Sequence, residues 1–292
     1  MSKERLDKIL TDKGFFDTKS RAQAAIMAGD VKVNGIVVTK SGHLLEPQEN
    51  TRFEIRTMPF VSRGGFKLDK AVKTFSINLQ DRICLDAGAS TGGFTDCMLQ
   101  NGAKKVYSVD VGYGQIAWKL RTDSRVKVIE KVNIKNCDAK EIYSQDDEKA
   151  DFITMDLSFI SITKVLPNIL KLSDINNFVS QHFTALSEPH VHSPLKVDTH
   201  KNIIEIVSLI KPQFEAGREQ VGKNGIVREK KTHIEVINKI IEYSKNLNLF
   251  VKGLTYSPIK GQKGNIEYLI YLSSVYSEND IDVENTVIEA HN

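Results

Sequence analysis

Tryptophan occurs once, cysteine three times and proline seven times in 292 residues. No run of apolar residues approaches the roughly eighteen that would suggest a membrane span. The cysteines, Cys84, Cys97 and Cys137, are odd in number and have no C-x-x-C spacing. That pattern argues against a disulfide framework, a zinc site or a redox pair, and they read as reduced packing residues. The amino terminus, Met1-Ser-Lys-Glu-Arg-Leu-Asp-Lys-Ile-Leu10, is charged throughout and lacks the apolar core of a secretory signal. The expectation is a cytoplasmic protein with no membrane partner, no obligate protein partner and no metal site. A strong charge of one sign is also missing: 40 Lys and Arg stand against 37 Asp and Glu, for a net charge of +3. Such a balance permits a nucleic-acid partner without requiring one.

What the chain does have is 40% hydrophobic residues over a length beyond one typical domain, which predicts two domains of unequal size. The most informative stretch is Ile83-Cys-Leu-Asp-Ala-Gly-Ala-Ser-Thr-Gly-Gly-Phe94, followed by Val106-Tyr-Ser-Val-Asp110. It reads as strand, glycine turn, helix, and a second strand ending in a carboxylate, which is the nucleotide crevice of a parallel α/β sheet. A dinucleotide fingerprint wants three glycines; Gly88, Ser90 and Gly93 supply two. Together with Asp86 directly before the turn, this favours S-adenosylmethionine, which has no pyrophosphate to cradle. Asp110 would accept hydrogen bonds from the ribose hydroxyls of either ligand, and a purely structural turn stays open at this point.

Residues 1 to about 58 follow a different pattern. Leu6, Ile9 and Leu10 give one amphipathic helix, and Ala22, Ala25 and Ile26 the buried stripe of a second. Val31-Lys-Val-Asn-Gly-Ile-Val-Val-Thr39 then predicts a hairpin about Asn34-Gly35. Lys3, Arg5, Lys8, Lys19, Arg21 and Lys32 are spread through these elements and could face phosphate, although Glu4, Asp7, Asp12 and Asp17 among them also fit an ordinary solvated face. Arg5-Leu-Asp7, Arg21-Ala-Gln-Ala-Ala25 and Val31-Lys-Val-Asn-Gly35 closely resemble the small RNA-binding module first named from ribosomal protein S4. That resemblance implies recognition of RNA shape and backbone.

Four further residues from distant parts of the chain could converge on the crevice. Lys67 lies in the first turn of an amphipathic helix (Leu68, Ala71, Val72, Phe75), where it opposes the helix dipole. Asp156 ends the apolar strand Asp151-Phe-Ile-Thr-Met-Asp156, Lys211 follows the strand candidate Ile203–Ile210, and Glu267 belongs to the last strand region, Asn265–Tyr271. A ribose 2′-hydroxyl is a weak nucleophile until a base shares its proton. A lysine can act as that base where burial and a neighbouring ammonium disfavour its charged form. Lys211 is assigned that role, with Lys67 as the neighbouring cation, Asp156 orienting the attacking group and cofactor, and Glu267 fixing lysine geometry. Asp156-Leu-Ser-Phe159 lacks the Asn/Asp-Pro-Pro-aromatic signature of many amino methyltransferases, and no Pro-Cys nucleophile is present, so a hydroxyl target is favoured.

The ordered motifs Phe60-Val-Ser-Arg-Gly-Gly-Phe-Lys-Leu68, Asp86–Phe94, Asp110-Val-Gly-Tyr-Gly-Gln115, Asp156-Leu-Ser-Phe159 and Lys211-Pro-Gln-Phe-Glu-Ala-Gly-Arg218 resemble the TlyA family, whose methyltransferase domain is FtsJ-like. The resemblance implies an α/β, Rossmann-like class I methyltransferase domain with a mostly parallel, doubly wound sheet over residues 59–276, preceded by the small α+β S4-like domain over 1–58. It implies 2′-O-methylation of ribosomal RNA, at cytidine, with ribosomal RNA or ribosomal subunits as partner and S-adenosylmethionine as cofactor. The family's Lys-Asp-Lys-Glu tetrad falls on Lys67, Asp156, Lys211 and Glu267. Its cofactor contacts fall on Asp86, Gly88, Ser90, Thr91, Gly92, Gly93, Phe94, Asp110, Val111 and Asn133, and Arg63 joins the RNA-contact residues. Glu130-Lys-Val-Asn133 departs from the family's usual Arg-Thr before the asparagine. Members often carry the name haemolysin, so a membrane-active protein is the rival reading, and a non-catalytic ribosome-assembly factor is another.

Two segments fall outside the pattern. Residues 173–201 form a polar insertion with His182, His190, His192 and His200, whose spacings match no standard metal pattern and suggest a surface loop. The tail, 277–292, carries Glu278, Asp280, Asp282, Glu284 and Glu289 without a lysine or arginine, and is expected to be disordered.

Overall fold

A computed structural model describes residues 3–46, 48, 50–55, 58–173, 203–277 and 279–292. The chain divides into two compact units, Met1–Pro59 and Phe60–Asn292.

The first unit holds β1 (Glu4–Arg5), α1 (Leu6–Asp12), α2 (Lys19–Met27), β2 (Val31–Val33), β3 (Ile36–Val37), β4 (Leu44–Leu45) and β5 (Phe53–Ile55). Leu6 and Leu10 of α1 meet Ala22 and Ile26 of α2 over Val31 and Val33, one small core closed by helical and strand periodicity together. Thr18 caps α2 by accepting from Arg21 N at 3.3 Å. Asn34 and Gly35 both take positive φ, 49° and 81°, as a two-residue turn matched to the twist of its strands requires. The central β2 pairs antiparallel with β3 and β5.

The second unit is built on one seven-stranded sheet. Its strands are β6 (Ile83–Ala87), β7 (Lys105–Asp110), β8 (Val126–Glu130), β9 (Phe152–Met155), β10 (Glu205–Ile210), β11 (Phe250–Tyr256) and β12 (Tyr268–Ser273), in the order β11-β12-β10-β9-β6-β7-β8. The five strands from β10 to β8 are parallel, and β12 runs antiparallel to both β10 and β11. The helices are α3 (Gly64–Thr74), α4 (Gly93–Gln100), α5 (Trp118–Arg121), α6 (Ala139–Ile142), α7 (Leu166–Leu172), α8 (Pro212–Glu215), α9 (Lys230–Asn246) and α10 (Val283–His291).

Alternation along the strands divides the side chains between two cores. Ile83, Leu85 and Ala87 of β6 enter one with α7, α9 and α10, while Cys84 enters the other with α3, α4 and α5. Helices thus cover both faces, the condition for a parallel sheet with near-continuous apolar strands. The strand order reverses between β6 and β9, and such switch points are where doubly wound sheets bind ligands. All three cysteines are buried and free. Burial pushes their thiols above the ordinary value, consistent with packing residues and not with nucleophiles.

The structure corrects some sequence expectations. The tail is not disordered over its whole length: residues 283–291 form α10, whose Val283 and Val287 are buried one turn apart and whose first turn is capped by Asp282 accepting from Asn285 N at 2.8 Å. Two well-placed valines and a cap outweigh the acidic composition. The last strand begins at Tyr268, so Glu267 precedes it. The histidine-bearing insertion lies outside the described residues from 174 on. Among the described residues no cluster suited to a metal occurs, and no helix is long and apolar enough to cross a membrane.

Candidate active site

Strand direction brings the four proposed catalytic residues together. Asp156 and Lys211 follow the carboxyl ends of the parallel neighbours β9 and β10. Because β12 is antiparallel to β10, with Tyr268 opposite Ile210, the residue before β12 arrives at the same edge. That residue is Glu267. Lys67 comes from α3, packed beside α4 and β12. Lys211 Nζ lies 2.6 Å from Asp156 Oδ1. Lys67 Nζ lies 3.3 Å from Asp156 Oδ2 and 2.8 Å from Glu267 Oε2. Asp156 therefore bridges the two lysine side chains.

Lys67 and Lys211 are only 8% and 7% exposed, so these contacts are not screened as surface pairs would be. Burial works to lower the Lys67 ammonium, but Asp156 and Glu267 outweigh it and hold Lys67 above the ordinary lysine value. An amine in that setting stays charged.

The glycine turn forms the adjoining wall. Gly88 takes φ +87°, and a Cβ there would lie 2.8 Å from the Asp156 carbonyl oxygen, so the backbone of the turn stays bare. Gly92 takes φ +91°, and a side chain on it would run into Leu120. Gly88, Ser90, Thr91, Gly93 and Phe94 line a cavity of about 390 Å³ that also includes the four charged residues above.

Asp86 is placed differently from the cofactor-facing role expected of it. It is wholly buried beneath the turn and does not belong to the cavity wall. Oδ2 accepts from Thr95 N at 2.9 Å and Thr95 Oγ1 at 2.7 Å, and Oδ1 from Thr154 Oγ1 at 3.0 Å. It thus ties the start of α4 to β6 and β9. Burial, offset in part by these donors, raises its carboxyl to about 6. The folded state consequently binds this proton more tightly than the unfolded chain, whose aspartate titrates near ~3.9. The sign follows: the stabilisation is present at low pH and is lost as pH rises through about 6. Asp86→Asn is expected to gain about 2 kcal/mol relative to wild type between pH 4 and pH 8. Denaturant melts at the two pH values measure this, and an equal difference at both would remove the assignment.

Asp110 ends β7 and accepts from Ser90 N at 2.8 Å and Gly112 N at 2.6 Å, leaving each carboxylate oxygen a further acceptor position. Val111 is exposed beside it. Asn133 accepts from Lys135 N at 3.1 Å, and its loop is tied to the Asp110 loop by Val132 N donating to Asp110 O and Lys131 N to Gly112 O, both at 3.1 Å. Asp110, Val111 and Asn133 lie outside the cavity wall itself. The unusual Glu130 has a clear local task. It accepts from Gly114 N at 2.8 Å and Arg121 at 2.6 Å, pinning the 110–114 loop to β8 and α5.

Several residues at this site were not singled out from sequence. Lys211 Nζ also donates to Ser158 Oγ at 3.1 Å. Glu215, one helical turn after Lys211, is buried and accepts from Ile162 N at 2.7 Å and Ser161 Oγ at 2.6 Å. It ties the loop after Asp156 to the turn after Lys211. Phe159 in that loop takes φ +64° and rests against Phe214 at a ring separation of 4.9 Å. The spacing Lys211-Pro-Gln-Phe-Glu215, a proline-initiated turn ending in a carboxylate, was the available signal. Ile259, Lys260 and Gly261 complete the wall.

The basic residues proposed for RNA lie in both units. Arg63 lines the cavity of the second unit. In the first, Arg5 donates to the buried Asp7 at 2.7 and 3.1 Å, and this bond holds the Asp7 carboxyl well below the usual range. Lys8 lies 3.5 Å from Glu4, Arg21 2.7 Å from Asp17 and Lys32 3.7 Å from Glu54, while Lys3 and Lys19 are exposed. Pairs of exposed side chains contribute about 0–1 kcal/mol, little enough for phosphate to displace them.

Residues 60–274 match the FtsJ-like methyltransferase family and residues 4–50 the S4 domain. Hemolysin A of Brachyspira hyodysenteriae is 42% identical, over 91% of this chain and 98% of its own. The 16S/23S rRNA (cytidine-2′-O)-methyltransferase TlyA of Mycobacterium tuberculosis is 33% identical, over 92% of this chain and 89% of its own. A solved structure from Streptococcus thermophilus, also named as a hemolysin, is 37% identical with a TM-score of 0.68, covering 100% of this chain and 96% of that one. The chain therefore belongs to the TlyA family, with an S4 domain followed by an FtsJ-like methyltransferase domain.

Proposed function

We propose that this protein transfers a methyl group from S-adenosylmethionine to a ribose 2′-hydroxyl of ribosomal RNA, at cytidine, and that Lys211 is the base. The observation that carries the reading is the pair of buried lysines bridged by Asp156, in one cavity with the glycine turn. The bare backbone at Gly88, held clear by the Asp156 carbonyl, and the acceptor positions left on Asp110 suit the cofactor. Gly88, Ser90, Thr91, Gly93 and Phe94 would hold it on the turn side, and Asp110, Val111 and Asn133 on the other. When bound, it supplies a methyl group activated on a sulfonium.

The chain's own residues deal with the hydroxyl. Lys67 is held as an ammonium by Asp156 and Glu267, so of the two amines the hydroxyl proton is assigned to Lys211, which faces the cavity between Asp156 and Ser158. Asp156 fixes Lys211 Nζ and pairs with the ammonium that forms when the proton is taken up. Such preorganised positioning accounts for much of the rate in transfers of this kind.

The name hemolysin borne by some relatives favours a membrane-active reading only by name, and pore formation leaves the bridged lysines without a task. The test is incubation of the purified protein with methyl-labelled S-adenosylmethionine and each ribosomal subunit from cells lacking the modification. Label in RNA supports the reading. Cofactor binding by calorimetry with no label in either subunit overturns the ribosomal substrate, and no cofactor binding leaves an RNA-binding factor.

A further inference from the structure

The cavity's interior charges balance and those at its edge do not. Lys67 and Lys211 are matched inside by Asp156 and Glu267. Arg63 and Lys260 line the same cavity but are exposed, and neither forms an ion pair among the described residues. They come from separate segments, Arg63 at the start of α3 and Lys260 in the loop between β11 and β12.

The Lys260 loop is well fixed for an exposed segment. Ser257 N donates to Glu267 O at 2.8 Å, Gly261 N to Asn265 O at 2.8 Å, and Ser257 Oγ to Ile259 O at 2.6 Å. Gly261 lies so close against the Glu267 carboxylate that any side chain there would collide with it. Lys260 is therefore displayed from a short loop pressed against the tetrad, on a scaffold that costs little further ordering when it binds.

A nucleotide inside an RNA chain brings one phosphodiester on each side of its ribose, two negative charges flanking the hydroxyl that reacts. We propose that Arg63 and Lys260 form a two-point phosphate clamp at the cavity edge, each taking one phosphodiester adjoining the target ribose. This rests on the ribose-methylating reading above and adds Lys260 as a substrate-positioning residue. A backbone contact carries no sequence information; it sets register, so the clamp would fix where the chain lies without choosing the base.

The test measures methyl transfer to ribosomal RNA in subunits over a range of salt concentrations for wild type, Arg63→Ala, Lys260→Ala and Lys263→Ala. Lys263 is exposed nearby but does not line the cavity. The clamp predicts that KM for RNA rises about fivefold in each of the first two variants, with kcat and cofactor affinity kept, and that the slope of log KM against log salt falls by roughly 0.7 to 0.9 per lost contact. Lys263→Ala should match wild type in both. An unchanged KM and slope in Lys260→Ala would overturn the clamp while leaving the methylation reading in place. Equal effects from Lys263→Ala would replace it with a diffuse positive field. Absence of transfer by wild type overturns the reading and the clamp together.

Discussion

Lys211→Ala is expected to lower kcat for methyl transfer by about 10³-fold, the middle of the range for a positioned general base or acid, with cofactor affinity close to wild type. Lys211 reaches the cavity from the end of β10 and touches Asp156 and Ser158, not the glycine turn. Removing its amine therefore takes away the proposed proton acceptor and leaves the glycine turn in place. Single-turnover rates with saturating RNA, set beside calorimetric cofactor affinity, separate the two effects. A fall in affinity that accounts for the whole rate loss would make Lys211 a binding residue. Unchanged kcat would remove it from the chemistry and leave the hydroxyl proton to solvent.

Asp156→Ala should do more damage to the fold than any other change in the tetrad. Asp156 is the only one of the two carboxylates in ion-pair contact with both lysines; Glu267 contacts Lys67. Its loss leaves Lys211 without its carboxylate in a site where the lysines are nearly covered. Breaking a buried pair from one side costs about 3 kcal/mol or more, because the remaining charge keeps its desolvation penalty. The expected result is a clear drop in the denaturant midpoint along with a methyl-transfer rate at least about a hundredfold lower. Asp156→Asn, which keeps the shape and one carbonyl acceptor, should recover much of the stability and little of the activity. Equal stability in wild type and the alanine variant would mean that water satisfies Lys211 once Asp156 is gone.

The residues of the proposed tetrad were legible because strand ends and charge coincide in the sequence. Asp156 and Lys211 each close an apolar run, and a parallel sheet must deliver such residues to one edge. Glu267 was harder to place: alternation put it on a strand face, whereas it precedes β12, and it reaches the same edge through the antiparallel turn of that strand. Asp86 could not be placed correctly from its position before a glycine turn. A carboxylate there can face a ligand or anchor the helix beneath, and only the donors Thr95 and Thr154, nine residues away and on another strand, decide between them. Ser158 and Glu215 escaped notice because each acts across two loops brought together by β9 and β10. In the tail, the apolar i, i+4 pair Val283 and Val287 was visible but was outweighed in the reading by five acidic residues. The first unit's lysines and arginines were legible as charges, yet their partners Asp7, Asp17 and Glu54 emerge only from the fold.

The most direct test of the central claim is nucleoside mass spectrometry of the ribosomal RNA labelled by this protein. The account predicts that the label resides in a 2′-O-methylated cytidine, present with wild type and absent with Lys211→Ala. Label on a base carbon or ring nitrogen, or on ribose but independent of Lys211, would contradict it.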